Sequence, residues 1–331
     1  MKVVFFNSKE YDREYFNGAN TDGLHELVFL EPKLSLDTVC LTQGAMAVCV
    51  FVNDTVDAEV VSRLAGNGVK LIALRCAGFN NVDLNAAAEH GVKVVRVPAY
   101  SPYAVAEYTV GLMLALNRKI HRAYCRVREG NFSLNGLLGF DMAGKTAGII
   151  GTGQIGSLVV RTLRAMDMTV LMSDPAVNKD CIAAGARYVD IDTLFAESDI
   201  VSLHCPLTPE THHIIDAAAI DKMKQGVMLI NTSRGAVIDT AAVIASMKTG
   251  QIGMLGLDVY EQEEDLFFED HSYEVITDDV FERLLTFPNA LITAHQGFFT
   301  KDALSNIATT TLNNILQFEN GSSLDNEVSL R

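Results

Sequence analysis

The sequence predicts an α/β protein of two domains, each a parallel sheet covered by helices, with the second domain inserted into the first. Three observations carry this expectation. At 331 residues the chain is longer than one hydrophobic core usually organises. Short, continuous apolar runs alternate with helical patterns in two successive series, and strands buried on both faces belong to parallel sheets. The last strand-like run lies near the end of the chain, so the final helical pattern, residues 300–318, is expected to return to the first unit.

In chain order, "KVVFF", "AMAVCVFV", "KLIALR" and "KVVRV" read as strands, separated by stretches such as "VDAEVVSRLAGNG" and "VDLNAAAEHG". Two prolines in "VPAYSP" then precede a long helical pattern for which Ser101 is a suitable N-cap. The second series follows as "TAGIIG", "MTVLMSD", "DIVSLHCP", "VMLINTS", "MLGLDVY" and "ALITAH". The expected domains are therefore 1–100 with 299–331, and 101–298.

Composition excludes several classes of function. Hydrophobic residues make up 49% and charged residues 20%, which places the chain among globular proteins and away from disordered ones. The net charge of -15, from 41 acidic and 26 basic residues, argues against nucleic acid as a partner. It also means that an anionic substrate needs a local cationic pocket. The six cysteines form no C-x-x-C pair, so neither a disulfide framework nor a cysteine zinc site is expected, and a reducing, cytoplasmic setting fits. "MKVVFFNSKEYDRE" turns polar too soon for a signal peptide, and no run approaches the length of a membrane span, so no membrane association is expected.

Residues 139–156, "GFDMAGKTAGIIGTGQIG", contain two competing nucleotide signatures. Gly139 to Thr146 fits G-x-x-x-x-G-K-[ST], but Thr146 runs into a strand where a phosphate loop requires a helix. Gly151, Gly153 and Gly156 fit G-x-G-x-x-G in the required context, a strand before and an amphipathic helix after. Gly151 permits the tight turn, Gly153 lets a pyrophosphate approach the backbone, and Gly156 lets helix and strand pack closely. Asp174 ends the next strand 18 residues past Gly156, where a carboxylate bonds the adenosine ribose and repels a 2′-phosphate. NAD is thus expected over NADP.

Together, "GIIGTGQIG" with Asp174, "HCPLTPETHHII", "INTSRGAVIDTAAV", "GLDVYEQEEDLF" and "ITAHQGFFT" resemble the D-isomer-specific 2-hydroxyacid dehydrogenases over nearly the whole chain, most closely their D-lactate branch. The resemblance implies two Rossmann-like or flavodoxin-like domains, with the NAD-binding domain inserted into the substrate domain. It also implies catalysis by Arg234, Glu263 and His295. Arg234 follows the strand "VMLINTS", and its planar fork suits a carboxylate and a ketone oxygen. His295 is placed to give a proton to the nascent alkoxide, and a carboxylate beside the imidazole favours its charged form. Glu263 is the matching acid, although composition alone leaves Glu261 and Glu264 open.

Implied cofactor contacts, beyond the three glycines and Asp174, are Gln154, Ile155, Cys205, Pro206, Thr211, Thr232, Ser233 and Asp258, the last on the nicotinamide carboxamide. Implied substrate contacts, besides Arg234 and His295, are the backbone of Ala77 and Gly78 in "RCAGFNNVD", Tyr100, and Phe299 over a small apolar group such as pyruvate's methyl. His204 belongs to a cofactor-side motif, and adjacent His212 and His213 lack the spacing of a helical metal pair, so no metal is assigned. The expectation is a cytoplasmic NAD-dependent D-lactate dehydrogenase acting on a small 2-oxo acid. It is expected to form a homodimer or tetramer, with the long helix after Ser101 as the seam. Two other readings remain open: a dehydrogenase for hydroxyisocaproate, phenyllactate or glycerate, and a NAD-sensing, co-repressor-like binding protein.

Overall fold

The computed structural model describes residues 1–21 and 23–328, without the side chain of Asp265. The last three residues of the expected 299–331 segment lie outside the described residues. The chain forms two compact units, Met1–Ser101 with the segment from Phe299 onward, and Pro102–Phe298.

The first unit begins with β1 (Lys2–Phe5), α1 (Glu10–Ala19), β2 (Glu26–Phe29), β3 (Ala47–Val50), α2 (Ala58–Gly66), β4 (Leu71–Leu74), α3 (Leu84–Glu89) and β5 (Lys93–Val95). All its strand pairs are parallel, in the order β2-β1-β3-β4-β5, which is the flavodoxin-like arrangement. β3 and β4 are buried at every position, as continuous apolar strands covered on both faces must be. β2 is a strand beyond those the sequence predicts: "ELVF" is only partly buried at the sheet edge, and so carries a weak apolar signal.

The second unit opens with α4 (Pro102–Arg118) and α5 (Ile120–Arg128). The single long helix expected here is instead broken at Lys119, whose φ of +51° lies in the left-handed region. Proline opens α4 at its first position, where its missing N–H costs nothing. Then come β6 (Thr146–Ile150), α6 (Gln154–Ala165), β7 (Thr169–Ser173), α7 (Lys179–Ala183), β8 (Arg187–Tyr188), α8 (Ile191–Glu197) and β9 (Ile200–Leu203). The unit closes with α9 (Ala217–Asp221), β10 (Val227–Asn231), α10 (Thr240–Thr249), β11 (Ile252–Leu257), α11 (Asp279–Leu285) and β12 (Ala290–Ile292). The parallel order β12-β11-β10-β9-β6-β7-β8 is the Rossmann order with one added strand, and its switch point falls between β6 and β9.

α12 (Lys301–Glu319) returns to the first unit and packs on α1, burying Leu304, Ile307, Leu312 and Ile315. Asn314 on this helix donates Nδ2 to the Arg96 carbonyl at 2.9 Å, and the following tail covers the β5 edge through Val328 N–H to Val94 O at 2.8 Å. Much of the acidic excess is structural. Asp57, Asp83, Asp190, Asp216, Asp239 and Asp278 each cap a helix by accepting a first-turn amide.

Candidate active site

At the carboxyl edge of the Rossmann sheet, the loops after β6 and β9 meet at the switch point, and His204 donates its amide to Ile150 O at 2.7 Å. Gly151 has φ +93°, and a Cβ there would stand 2.6 Å from the His204 backbone. A Cβ on Gly156 would fall 2.0 Å from the Gly151 carbonyl, so helix α6 lies against the turn only because that residue is glycine. Gly153 differs: it precedes α6 with an ordinary φ of -66°, and a Cβ there meets nothing within 4 Å. Open space over an amide-lined helix start is what a pyrophosphate needs, so the residues present fit the dinucleotide. Gln154 and Ile155 form the first turn of α6 beside it.

Asp174 follows β7 and faces the same turn. Its Oδ2 accepts from Thr152 N–H at 2.6 Å and Thr152 Oγ1 at 3.2 Å, and its Oδ1 accepts from Ala176 N–H at 2.7 Å. These bonds fix a carboxylate on the wall of a cavity of about 400 Å³ lined by Thr152, Gly153, Asp174, Ala176, Val177 and Asn178. Tyr188 and Asn178, which sequence reasoning missed, brace it. The Tyr188 hydroxyl lies 2.7 Å from Thr152 Oγ1, and Asn178 Nδ2 donates to Thr152 O at 2.9 Å. Beyond β9, burial drives the His204 pKa down to about 4 and the Cys205 thiol up to about 11, so both stay neutral. Next to them, Thr211 Oγ1 donates to the Pro206 carbonyl at 2.6 Å and shapes that loop.

β10 ends in a buried asparagine that organises the arginine turn. Asn231 Oδ1 accepts from Ser233 N–H at 3.0 Å and Ser233 Oγ at 2.8 Å, while its Nδ2 donates to Arg234 O at 2.8 Å. Thr109 Oγ1 gives its proton to Val105 O, so Thr232 Oγ1, 2.8 Å away, donates to Thr109. Arg234 Nη1 donates to the Ser233 carbonyl at 2.6 Å, and among the described residues no carboxylate pairs with its guanidinium. In a chain with this acidic excess, a half-buried guanidinium without a carboxylate offers a local positive charge at the sheet's carboxyl edge. A polar side chain closing the otherwise apolar strand "VMLIN" was the available signal for Asn231.

His295 and Glu263 come together. Glu263 Oε1 lies 2.7 Å from His295 Nδ1, and Glu263 Oε2 accepts from Tyr260 N–H at 2.9 Å. A carboxylate only accepts, so Nδ1 carries the proton in this bond and Nε2 is the nitrogen left for chemistry. His295 has φ +51°, a conformation that few non-glycine residues adopt, and its N–H donates to Asp258 O at 2.7 Å. The Asp258 carboxylate is buried and accepts from Thr293 Oγ1 at 2.6 Å, Gln296 N–H at 2.9 Å and Gly297 N–H at 2.8 Å. Burial pushes its pKa up, against those three bonds. Asp258 is therefore the clamp of the histidine loop, a role the sequence did not suggest. Tyr108, also unforeseen, stands beside this clamp, with burial raising its pKa.

Glu261 belongs to a different imidazole. Its Oε1 lies 2.6 Å from His213 Nε2, and its Oε2 accepts from Thr240 Oγ1 at 2.9 Å. Glu264 is exposed. The remaining candidates sit in the other unit. Ala77 and Gly78 follow β4, where Arg96 Nη1 donates to Ala77 O at 2.7 Å. Tyr100 O accepts from Asn306 Nδ2 at 2.7 Å, and the Phe299 ring, half exposed, packs edge-on to Tyr11 at 4.9 Å.

Comparison with known proteins agrees with this geometry. Residues 110–297 match the D-isomer specific 2-hydroxyacid dehydrogenase, NAD binding domain. The chain is 53% identical to the D-lactate dehydrogenase of Escherichia coli over 328 residues, 99% of this chain and 100% of that one. Among solved structures, the pyruvate reductase of Chlamydomonas reinhardtii superposes with a TM-score of 0.93 at 47% identity, covering 98% of each chain. The D-lactate dehydrogenase of Aquifex aeolicus, solved with NAD and lactic acid, gives 0.86 at 35% identity, covering 96% of each. With a glycine turn that fits a dinucleotide and this degree of likeness across its length, the chain belongs to the family of NAD-dependent D-isomer specific 2-hydroxyacid dehydrogenases.

Proposed function

We propose that the protein is a D-lactate dehydrogenase that works as a pyruvate reductase. The observation that carries this reading is the 2.7 Å Glu263–His295 pair, set on the carboxyl edge of a dinucleotide-binding sheet, in a chain 53% identical to a named D-lactate dehydrogenase. Gly151, Gly153, Gln154, Ile155, Gly156 and Asp174 would hold the pyrophosphate and adenosine portions of the cofactor. Cys205, Pro206, Thr211, Thr232, Ser233 and Asp258 would line the rest. When bound, NADH supplies a hydride.

The chain's own residues then do three things. Arg234 would present two parallel donors to the substrate carboxylate and polarise its ketone, a pairing left available because no carboxylate among the described residues holds its guanidinium. His295 gives a proton from Nε2 to the oxygen that becomes the alcohol. Glu263 accepts Nδ1–H and fixes the ring, leaving Nε2 as the nitrogen that meets the substrate. By resemblance, the Ala77 and Gly78 amides would hold the carboxylate, Tyr100 would touch the substrate, and Phe299 would cap its methyl.

The test is NADH and NADPH oxidation with a panel of 2-oxo acids. Pyruvate with NADH should give the highest kcat/KM, and Arg234→Ala or His295→Ala should each lose at least about 100-fold. A panel that favours phenylpyruvate, 2-oxoisocaproate or hydroxypyruvate would reassign the substrate. Tight NADH binding without turnover would favour the sensory reading.

The cytoplasm is the proposed setting, in keeping with six free cysteines. No helix among the described residues is long and apolar enough to cross a membrane. The protein is proposed to act as a homodimer or tetramer. Ile120, Tyr124 and Val127 on α5, with Phe132, Leu134 and Leu138 beyond it, are each more than half exposed, an apolar run that self-association would cover.

A further inference from the structure

Among the described residues, one group of three metal-binding side chains draws its ligand atoms together: His212, His213 and Glu261, all within 4.8 Å of one another. The catalytic pair does not share these residues, since Glu261 faces His213 and Glu263 faces His295. We propose that His212, His213 and Glu261 form a binding site for one zinc-like transition-metal dication.

The donor set is two imidazoles and one carboxylate, the borderline ligands that zinc and its neighbours prefer to the all-oxygen cages of calcium or magnesium. The His212 and His213 rings stack at 3.9 Å with a 25° interplanar angle, so two adjacent residues turn the same way. Adjacency in sequence argues against a metal pair only where a helix carries both histidines. That objection does not apply here, because His213 sits in a turn with φ +51° and the third ligand comes from 48 residues along the chain.

The distances can close on an ion. His213 Nε2 and Glu261 Oε1 are 2.6 Å apart, the length of a shared proton. Two ligands bound at roughly 2.0–2.1 Å in a tetrahedron stand about 3.3 Å apart, so replacing the proton by a metal opens this pair by less than an ångström. Glu261 is already oriented as a ligand would be, because Thr240 Oγ1 donates to its other oxygen at 2.9 Å, the outer bond that typically steers a ligating carboxylate. His212 is exposed, so its ring can turn onto the ion and a fourth position remains open to water. A purely structural His213–Glu261 pair would explain two of the three residues and leave the placement of His212 unexplained.

The test is zinc binding to the purified full chain, by equilibrium dialysis against zinc chloride, with cobalt chloride as a spectroscopic stand-in for tetrahedral geometry. The expected result is one zinc per chain, with affinity reduced in both His212→Gln and Glu261→Gln by more than the roughly tenfold that even an outer-sphere partner is worth. Exposed His212 is not needed for folding, so His212→Gln should keep the melting temperature and the zinc-free pyruvate reduction rate of the parent. Absence of stoichiometric zinc, or a zinc affinity in His212→Gln equal to that of the parent, overturns the proposal. In the second case the ion would be bound elsewhere, for instance at exposed Cys40 or Cys125.

Discussion

Glu261 and Glu263 are the same residue type on one short segment, and only their hydrogen-bond partners separate their roles. Tyr260 N–H turns Glu263 towards His295, and Thr240 turns Glu261 towards His213. Glu263→Gln keeps the shape but replaces the carboxylate that accepts Nδ1–H of His295 by a neutral amide that can present either end. Its kcat for pyruvate should therefore fall by about 10–100-fold while the NADH dissociation constant stays within about twofold. Glu261→Gln should keep kcat within about threefold of the parent in zinc-free buffer, because it meets His213 and not the proposed catalytic His295. Steady-state kinetics with fluorescence titration of NADH checks both, and equal losses in the two variants would contradict the division. Composition alone could not separate the carboxylates of "EQEEDLFFED", where only the motif resemblance pointed to Glu263, since what distinguishes them physically is the bonding of each to a histidine far away in sequence. Arg234 and His295 were legible through the motif resemblance, and each lies three residues beyond the carboxyl end of a strand, β10 and β12, where open α/β sheets place their chemistry.

At the scale of the elements, the turn between β6 and α6 divides its work among three glycines in a way that substitution can separate. Alanine at Gly156 would place Cβ 2.0 Å from the Gly151 carbonyl, a backbone atom that cannot step aside. Gly156→Ala should cost about 1–3 kcal/mol of stability and weaken NADH along with it. Alanine at Gly153 meets nothing and needs no unusual φ. Gly153→Ala should therefore unfold within about 2 °C of the parent but bind NADH at least about tenfold more weakly, because its methyl fills the pyrophosphate's space. Differential scanning fluorimetry with and without NADH distinguishes the two, and an unimpaired Gly153→Ala would remove the pyrophosphate from this turn. The steric demands on Gly151 and Gly156 were readable from strand, turn and helix context. β2 and β8 were not, because an edge strand and a two-residue strand bury too little to leave an apolar run. The break at Lys119 escaped as well, since no proline or glycine marks it.

At the scale of the whole molecule, acid and association act on the same protein. His204 stays neutral in the folded chain down to a pKa of about 4, because burial disfavours its charge, whereas in the unfolded chain it takes a proton near 6.5. Its stabilising contribution is thus complete above about pH 6.5 and is lost as pH falls towards 4, amounting to at most about 2 kcal/mol by pH 5 because part of the residue reaches solvent. Urea unfolding of the parent and of His204→Gln at pH 7.5 and pH 5 should show a flatter acid dependence in the variant, and parallel slopes would remove His204 from the acid response.

The proposed association would use a surface away from His204. The helical stretch after Ser101 that the sequence offers as the seam comprises both α4 and α5, and α4 buries Val105, Leu112, Met113 and Leu116 within its own unit. Uncovered apolar side chains cluster past the break, where α5 has no buried residue and Phe132, Leu134 and Leu138 are 75, 81 and 88% exposed. A patch of this kind on an isolated chain invites water-excluding contact with a copy of itself. Light scattering should therefore report a dimer or tetramer for the parent, and Val127→Glu combined with Leu138→Asp should shift it to monomer while NADH still binds, since neither residue lies on the glycine turn. A parent that stays monomeric at micromolar concentration, or a double variant with unchanged mass, would show that this apolar run serves something other than self-association.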